Sequence, residues 1–296
     1  QRIPDDFLLQ RAKRGVAEIL FEKGQKRICF RSHKSRFLWE TVFYSVPLFL
    51  KINFYKIKFQ DKIPSSKPAE AGREAGVCVA AGHNFLFSRS AMAAQAEIAS
   101  GAVGEPVWAL GLQTSSWRGR LPEWRDTLPG GLFFDEAPHL LYLMRHFLGE
   151  LSVSDSKITD FPADGPSQLV DARLRGARGY ARLLMWTGAP QSEWFLALYC
   201  SRGTLVLDLF RDILIRVPAE RSHGIRDVVT ASWTATLQHW AGTFSTGVRS
   251  LAGRQDYGAN GLMRSFLSSA KSRSAPPVSA EDGWRVVELI EQIRDA

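Results

Sequence analysis

The sequence predicts an α+β fold, an open and mainly antiparallel sheet covered by helices. Two observations carry this. Between residues 151 and 210, five short runs ("LSVSDSKI", "QLVDARLRG", "YARLLMW", "EWFLALYC" and "TLVLDLF") are separated by turn residues rather than by helices, which is the pattern of hairpins. On either side of them, residues 139–148, 231–248, 261–272 and 279–293 space their apolar side chains as helices do. Helices on both sides of a run of hairpins pack as one layer on one sheet.

Taken in order, "DFLLQRAKRGVAEILFEKG" (6–24) reads as a helix stopped by Gly24, and "KINFYKIKF" (51–59) alternates as a strand does. "VCVAAGHNF" (77–85) reads as a buried strand. "SRSAMAAQAEIASG" (88–101) reads as an alanine-rich helix with serine at its start and Gly101 as its stop. In "EPVWALGLQTSSW", Val107, Ala109 and Gly111 alternate with Trp108, Leu110 and Leu112, as in a strand. Residues 139–148 put Leu140, Leu141, Leu143, Met144, Phe147 and Leu148 on one helical face and His139, Tyr142 and His146 on another, with Gly149 as the stop. The closing helix opens on Ser279 and Asp282, spaced like a capping box, and buries Val286, Val287, Leu289, Ile290 and Ile293.

Composition removes several function classes. With 296 residues, 45% of them hydrophobic, the chain is long enough to bury a core. The longest apolar run, residues 37–50, is interrupted by Glu40, Ser45 and Pro47 and is too short for a membrane span. No basic start leads into an apolar segment and a cleavage site, so a cytoplasmic setting is expected. Cys29, Cys78 and Cys200 are odd in number and far apart, unlike a disulfide framework or a paired zinc site. The net charge of +8 lies at one end: residues 1–60 hold 13 Lys and Arg against 5 Asp and Glu. Basic and aromatic residues interleave there, which nominally permits nucleic-acid binding, although solvated charge beside core aromatics is the commoner reason for the pattern.

The candidate chemistry lies in "GGLFFDEAPHLLYLMRHFLG" (130–149). Pro138 suits a first helical turn, where its missing N–H is not needed. Asp135 and His139 are one turn apart, so the carboxylate can reach the imidazole and fix which ring nitrogen carries the proton. By spacing alone the plainer reading holds the advantage: Asp135 caps a helix and pairs with His139 at the surface. Neither an HExxH metal motif nor a GxSxG elbow is present.

Four pieces in order resemble the Gfo/Idh/MocA oxidoreductases, the glucose-fructose oxidoreductase and inositol dehydrogenase family: "GHNFLFS" (82–88), "IASGAVGEPVWA" (98–109), "WRGRLPEWRDTLPGGLFFDEAPHLLYLMRHFLG" (117–149) and "SRGTLVLDLF" (201–210). The ending "PPVSAEDGWRVVELIEQI" is similar too, so the resemblance spans roughly residues 61–296. It implies hydride transfer between a sugar-like or cyclitol carbon and NAD or NADP, with His139 as acid/base and Asp135 as the aspartate that contacts substrate or orients the histidine. A carboxylate-oriented imidazole suits such proton transfer near neutral pH.

The family's Glu-Lys-Pro lysine has two imperfect counterparts, Lys62 in "DKIPSS" and Lys67 in "SKPAEAG", of which Lys62 has the better spacing to Gly82. Asn84 follows the strand that faces the cleft in relatives, or is only a turn former. Gly130 and Gly131 let backbone approach substrate, or merely turn the chain. Arg120 and Trp124 lie on the loop before Asp135, where a sugar can stack on the indole or the indole can pack on its own domain. The sheet face of relatives often pairs subunits, so the resemblance also implies a homo-oligomer.

One departure is large. Relatives begin with a Rossmann domain whose glycine-rich first turn receives the pyrophosphate. Here residues 1–60 hold only Gly15 and Gly24, and GxGxxG is absent. The expected organisation is therefore an atypical basic segment (1–60), a remnant of the Rossmann domain (61–82) and a substrate and oligomerisation domain (83–296). The rival expectation is a catalytically inactive binding or interaction module.

Overall fold

A computed structural model describes residues 18–22, 25–29, 72, 74, 77–116, 131–163, 165–220, 222 and 224–296. Contacts divide the chain into two units, Gln1–Ile63 and Pro64–Ala296. In the first, β1 (Glu18–Glu22) and β2 (Gln25–Cys29) form an antiparallel hairpin running from Glu18 opposite Cys29 to Glu22 opposite Gln25. The helix expected over 6–24 is therefore a strand over 18–22. Two residues join the strands, one of them the glycine read as a helix stop, and a short glycine-containing connection is a hairpin signal. The strand expected at 51–59 lies outside the described residues.

The second unit is an open seven-stranded sheet in the order β4-β5-β6-β3-β7-β8-β9. Its strands are β3 (Pro106–Ser116), β4 (Leu151–Ala163), β5 (Gly165–Gly176), β6 (Gly179–Ala189), β7 (Glu193–Cys200), β8 (Gly203–Asp208) and β9 (Ile213–Pro218). All neighbours are antiparallel except β3 and β6. That parallel pair requires a long crossover, which α2 and the β4–β5 hairpin supply. The helices are α1 (Arg89–Ala99), α2 (Gly131–Leu148), α3 (Ile225–Leu251), α4 (Ala259–Ser272) and α5 (Ala280–Asp295). The α+β class and its mainly antiparallel sheet are as the sequence predicts.

Successive strand side chains point to opposite faces, so alternate residues form the core. Ala109 and Gly111 on β3, Leu183 and Met185 on β6, Ala172 and Leu174 on β5, and Leu196 and Leu198 on β7 are buried beneath the helix layer. Leu140, Leu141, Leu143, Met144, Phe147 and Leu148 of α2 meet them. Gly111 permits the closest approach: a Cβ there would collide with Met144 and crowd Leu140. Burial of each large α2 side chain contributes about 1.5–3 kcal/mol, so this face fixes where the rest of α2 points.

Three expectations change. Residues 77–83 form no strand: among the described residues the stretch's backbone bonds beyond itself are Val77 N–H to the Gly72 carbonyl, Ala81 N–H to the Val278 carbonyl and those to the turn that follows it. An isolated extended segment cannot satisfy a buried strand's backbone, and most of this one is only half-buried. Helix α2 starts at Gly131, so Asp135 is not its cap and Pro138 lies inside it. Pro138 offers no N–H to the Phe134 carbonyl, but ten buried residues hold the helix onto the sheet regardless. Strand β9 was not expected. It is an edge strand ending in Pro218, and its run "ILIRVP" is short and half-exposed. Among the described residues no helix is long and apolar enough to cross a membrane, and no group of three or more His, Cys, Asp or Glu is placed to hold a metal ion.

The β8–β9 turn also caps α1. Asp212, at φ +52°, accepts from the Ser90 N–H (2.9 Å), the Ser90 hydroxyl (2.8 Å) and the Arg89 N–H (3.3 Å), while Ser88 Oγ accepts from the Ala91 N–H. Removing the buried carboxylate strands those donors, so Asp212→Ala is expected to lower stability by about 1–3 kcal/mol. Urea denaturation measures the loss, and Asp212→Asn should retain part of it.

Candidate functional site

The site is built where α2 crosses the sheet beside the 3-10 turn at Asn84–Phe87. Tyr142, one turn from His139, is buried despite being read as polar-facing. Its hydroxyl accepts from the Phe85 N–H at 3.1 Å and lies 3.2 Å from His139 Nδ1. Burial pushes the phenol's pKa up, so it keeps its proton. A phenol has one proton to give, and His139 Nδ1 is the acceptor within reach. If Nδ1 were the donor instead, the buried hydroxyl would face two donors and strand its own proton, at about 1–3 kcal/mol. Proton counting therefore has Tyr142 donating to Nδ1, which leaves the neutral imidazole protonated on Nε2.

Aromatic groups wall this pair. The His139 ring is 5.2 Å from Phe85, edge-on, and 5.2 Å from Trp194 on β7. His83 stacks on Tyr142 at 4.2 Å with 17° between planes. It is only 8% exposed, and its carbonyl accepts from the Leu86 N–H. Burial holds its pKa down at about 4, so His83 is neutral near pH 7, although Asp282 opposes that shift.

Glu136 fastens the helix to the sheet, accepting from Gln113 Nε2 at 3.1 Å and from the Ser115 hydroxyl. Gln113 and Trp194 sit directly opposite each other on β3 and β7. The Gln113 Oε1 acceptor and the Trp194 Nε1 donor are both buried without a hydrogen-bond partner among the described residues. They are complementary groups on neighbouring side chains, an arrangement that a bridging water or a ligand hydroxyl satisfies. Farther along α2, Arg145 pairs with Asp282 at 2.7 Å and with Glu150, tying α2 to α5.

Of the residues expected from sequence, His139, Asp135 and Asn84 lie on these two elements. Asp135 is half-buried one turn before His139. Asn84 is more than a turn former: its Nδ2 donates to the Tyr257 carbonyl at 2.9 Å, across 173 residues, joining the turn to the start of α4. Gly258 makes that join possible, with φ +84° and its bare Cα against the Asn84 carbonyl, where a Cβ would collide. Gly131 opens α2 at φ +56° with open space around it. Lys62, Lys67, Gly130, Arg120 and Trp124 lie outside the described residues. The sequence reading missed Tyr142, Glu136, Gln113, Trp194 and His83. Only Tyr142 and Glu136 carried a local signal, being one helical turn from His139 or beside Asp135.

A dinucleotide pyrophosphate requires a helix N-terminus with open N–H groups. Among the described residues four of the five helix starts already have a carboxylate. Asp212 serves α1, Asp256 accepts from Gly258 and Asn260 at α4, Asp282 closes a capping box with Ser279 at α5, and Asp227 occupies the first turn of α3. A phosphate there would meet like charge. The start of α2 differs, with no acidic residue in its first turn and open space around Gly131.

Two measurements test the site. Side-chain 15N NMR of His139 is expected to show the neutral ring protonated on Nε2, with the tautomers mixing in Tyr142→Phe. For His83, the folded pKa of about 4 lies below the unfolded 6.5, so the unfolded chain binds the extra proton. Stability from this group is complete above pH 6.5 and declines as pH falls toward 4, by up to roughly 3 kcal/mol. Denaturation midpoints across that window should fall less steeply in His83→Gln than in the parent.

No family model matches the chain, and no curated protein matches it by sequence. Solved structures match by fold. A dehydrogenase from Chromobacterium violaceum aligns over 78% of this chain and 64% of its own, with TM-score 0.57 and 17% identity. An NAD-binding oxidoreductase from Klebsiella pneumoniae aligns over 78% and 67%, with TM-score 0.57 and 18% identity. A UDP-N-acetylglucosamine 3-dehydrogenase from Acidithiobacillus ferrooxidans aligns over 78% and 65%, with TM-score 0.55 and 12% identity. The chain spans about two thirds of these proteins' length, and what it shares with these oxidoreductases is the fold.

Proposed function

We propose that the chain is the substrate-side domain of an NAD(P)-dependent oxidoreductase acting on a hydroxyl of a sugar or cyclitol, with His139 at the reacting oxygen. The observation that carries this reading is the held imidazole: Nδ1 is fixed by a buried phenol, and the ring is set by Phe85 and Trp194. Fold similarity to solved dehydrogenases agrees with it. A substrate oxygen that meets Nε2 meets an N–H donor, which stabilises charge developing on that oxygen. Tyr142 does not relay the proton, because its buried phenolate is disfavoured; it holds the tautomer. Asp135, one turn away, is the carboxylate at which the proton is exchanged. The amide of Asn84 is held by Tyr257 through Nδ2, so its Oδ1 is the atom that accepts from a substrate hydroxyl.

A second reading, a sugar- or polyol-binding module without catalysis, is favoured by one observation: at α1, α4 and α5 the helix N-termini are met by the chain's own carboxylates. Titrating the chain with NADH, NADPH and a panel of polyols separates the two. Saturable nucleotide binding with hydride transfer, reduced about 10²–10⁴-fold in His139→Ala, is the outcome expected of the enzyme. Polyol binding without nucleotide affinity identifies the module, and binding of neither rejects both.

A further inference from the structure

Helix α3 faces the wrong way for an ordinary surface helix. Its inner side, against β9, is small and polar. Gln238 exchanges hydrogen bonds with the Arg216 backbone at 2.9 Å each way, Gly242 abuts Ile213, and Thr246 is buried. Its outer side carries Ile225, Val229, Trp233, Leu237, Trp240, Phe244, Val248 and Leu251, with Trp233 64%, Trp240 69% and Phe244 76% exposed. On a scale of about 150–250 Å² for each aromatic side chain, this stripe presents ~1,000 Å². Apolar patches on monomers reach about 300–600 Å².

We propose that this stripe is a self-association surface, on which α3 of a second copy of the chain lies antiparallel. The spacing is what such an interface requires. Val229, Trp233, Leu237, Trp240, Phe244 and Val248 are separated by intervals of four, four, three, four and four residues, which read the same in both directions. A twofold axis between residues 238 and 239 sets Val229 opposite the second copy's Val248, Trp233 opposite its Phe244 and Leu237 opposite its Trp240. In a twofold interface one patch is complementary to itself, and this stripe is. The area available matches the roughly 800 Å² per partner of a stable interface, with Trp240 of each copy packed on Leu237 beside the axis, where binding energy concentrates.

The helix dipoles support the same orientation, because antiparallel copies bring opposite dipole ends together. Two parallel copies would set like beside like. A lipid surface is a poorer occupant. Helices that lie on membranes line their polar side with Lys and Arg, whereas α3 has no Lys, only Arg226 and Arg249, and turns its polar side to β9. The stripe is also distinct from the outer sheet face, where Leu112, Tyr180, Trp186 and Tyr199 are exposed.

Disulfide trapping in the full chain, with Cys29, Cys78 and Cys200 changed to Ser, tests the geometry. Leu237→Cys, beside the axis, is expected to crosslink to its own copy under mild oxidation. Ile225→Cys alone should not, because antiparallel copies place it at the far end of a helix about 40 Å long, but a mixture of Ile225→Cys and Leu251→Cys chains should. In sedimentation velocity on the unmodified background, Trp240→Glu is expected to weaken self-association at least 100-fold while leaving the circular dichroism spectrum unchanged, and Leu112→Glu and Trp186→Glu serve as the sheet-face comparison. Several results overturn the proposal: a monomer at every concentration, association abolished by the sheet variants but untouched by Trp240→Glu, Ile225→Cys crosslinking to itself, or chains that stay monomeric until they bind lipid vesicles through the stripe.

Discussion

The close seating of α2 on β3 governs the second unit. Gly111 leaves room for it, since a Cβ there would displace the Met144 methyl and crowd Leu140. Once six large apolar residues of α2 face the sheet, the 3.6-residue period leaves no choice about the others. Glu136 comes down on Gln113 and Ser115, Tyr142 goes inward beneath the Asn84–Phe87 turn, and His139 rises between Phe85 and Trp194. The polar geometry of the site thus follows from apolar packing. Arg145, bridging to Asp282, carries the same alignment to α5.

Within that frame the polar groups act through proton counting and desolvation. Tyr142 has a single proton and two polar neighbours, one of which is a backbone donor, so the direction of its bond to His139 is determined. The His83 ring is kept neutral by burial beside it. At α1, α4 and α5 the helix N-termini are answered by the carboxylates of Asp212, Asp256 and Asp282. The reversed helix α3 adds a second apolar surface, for which the domain itself has no use.

Much of the fold was legible in the sequence because its signals are local and repeated. Helix α1, its serine cap and Gly101, the hairpins β4–β5, β5–β6 and β7–β8, and the Ser279–Asp282 box follow from spacing within a few residues, whereas the insertion of β3 between β6 and β7 does not. The errors fell where tertiary burial overrode local preference. Pro138 was expected to mark a helix start, yet packing on both sides of it carries the helix through. Residues 77–83 have a strand's composition without a strand's neighbours, and residues 18–22 were helical by composition but find a partner across a two-residue connection.

By itself, the sequence determined the class of the fold, the order of most of its elements, and the placing of Asp135 and His139 one turn apart on one helix, because each depends on side-chain periodicity along a single segment. Tertiary structure alone decided that His139 answers to Tyr142 through Nδ1, that Gln113 meets Trp194 across strands, and that α3 turns its tryptophans outward. The physical reason is distance along the chain. Those contacts join residues on different elements, or depend on which side of a helix is buried, and nothing in a local spacing specifies either until the sheet has formed and one face of each helix has been taken out of water.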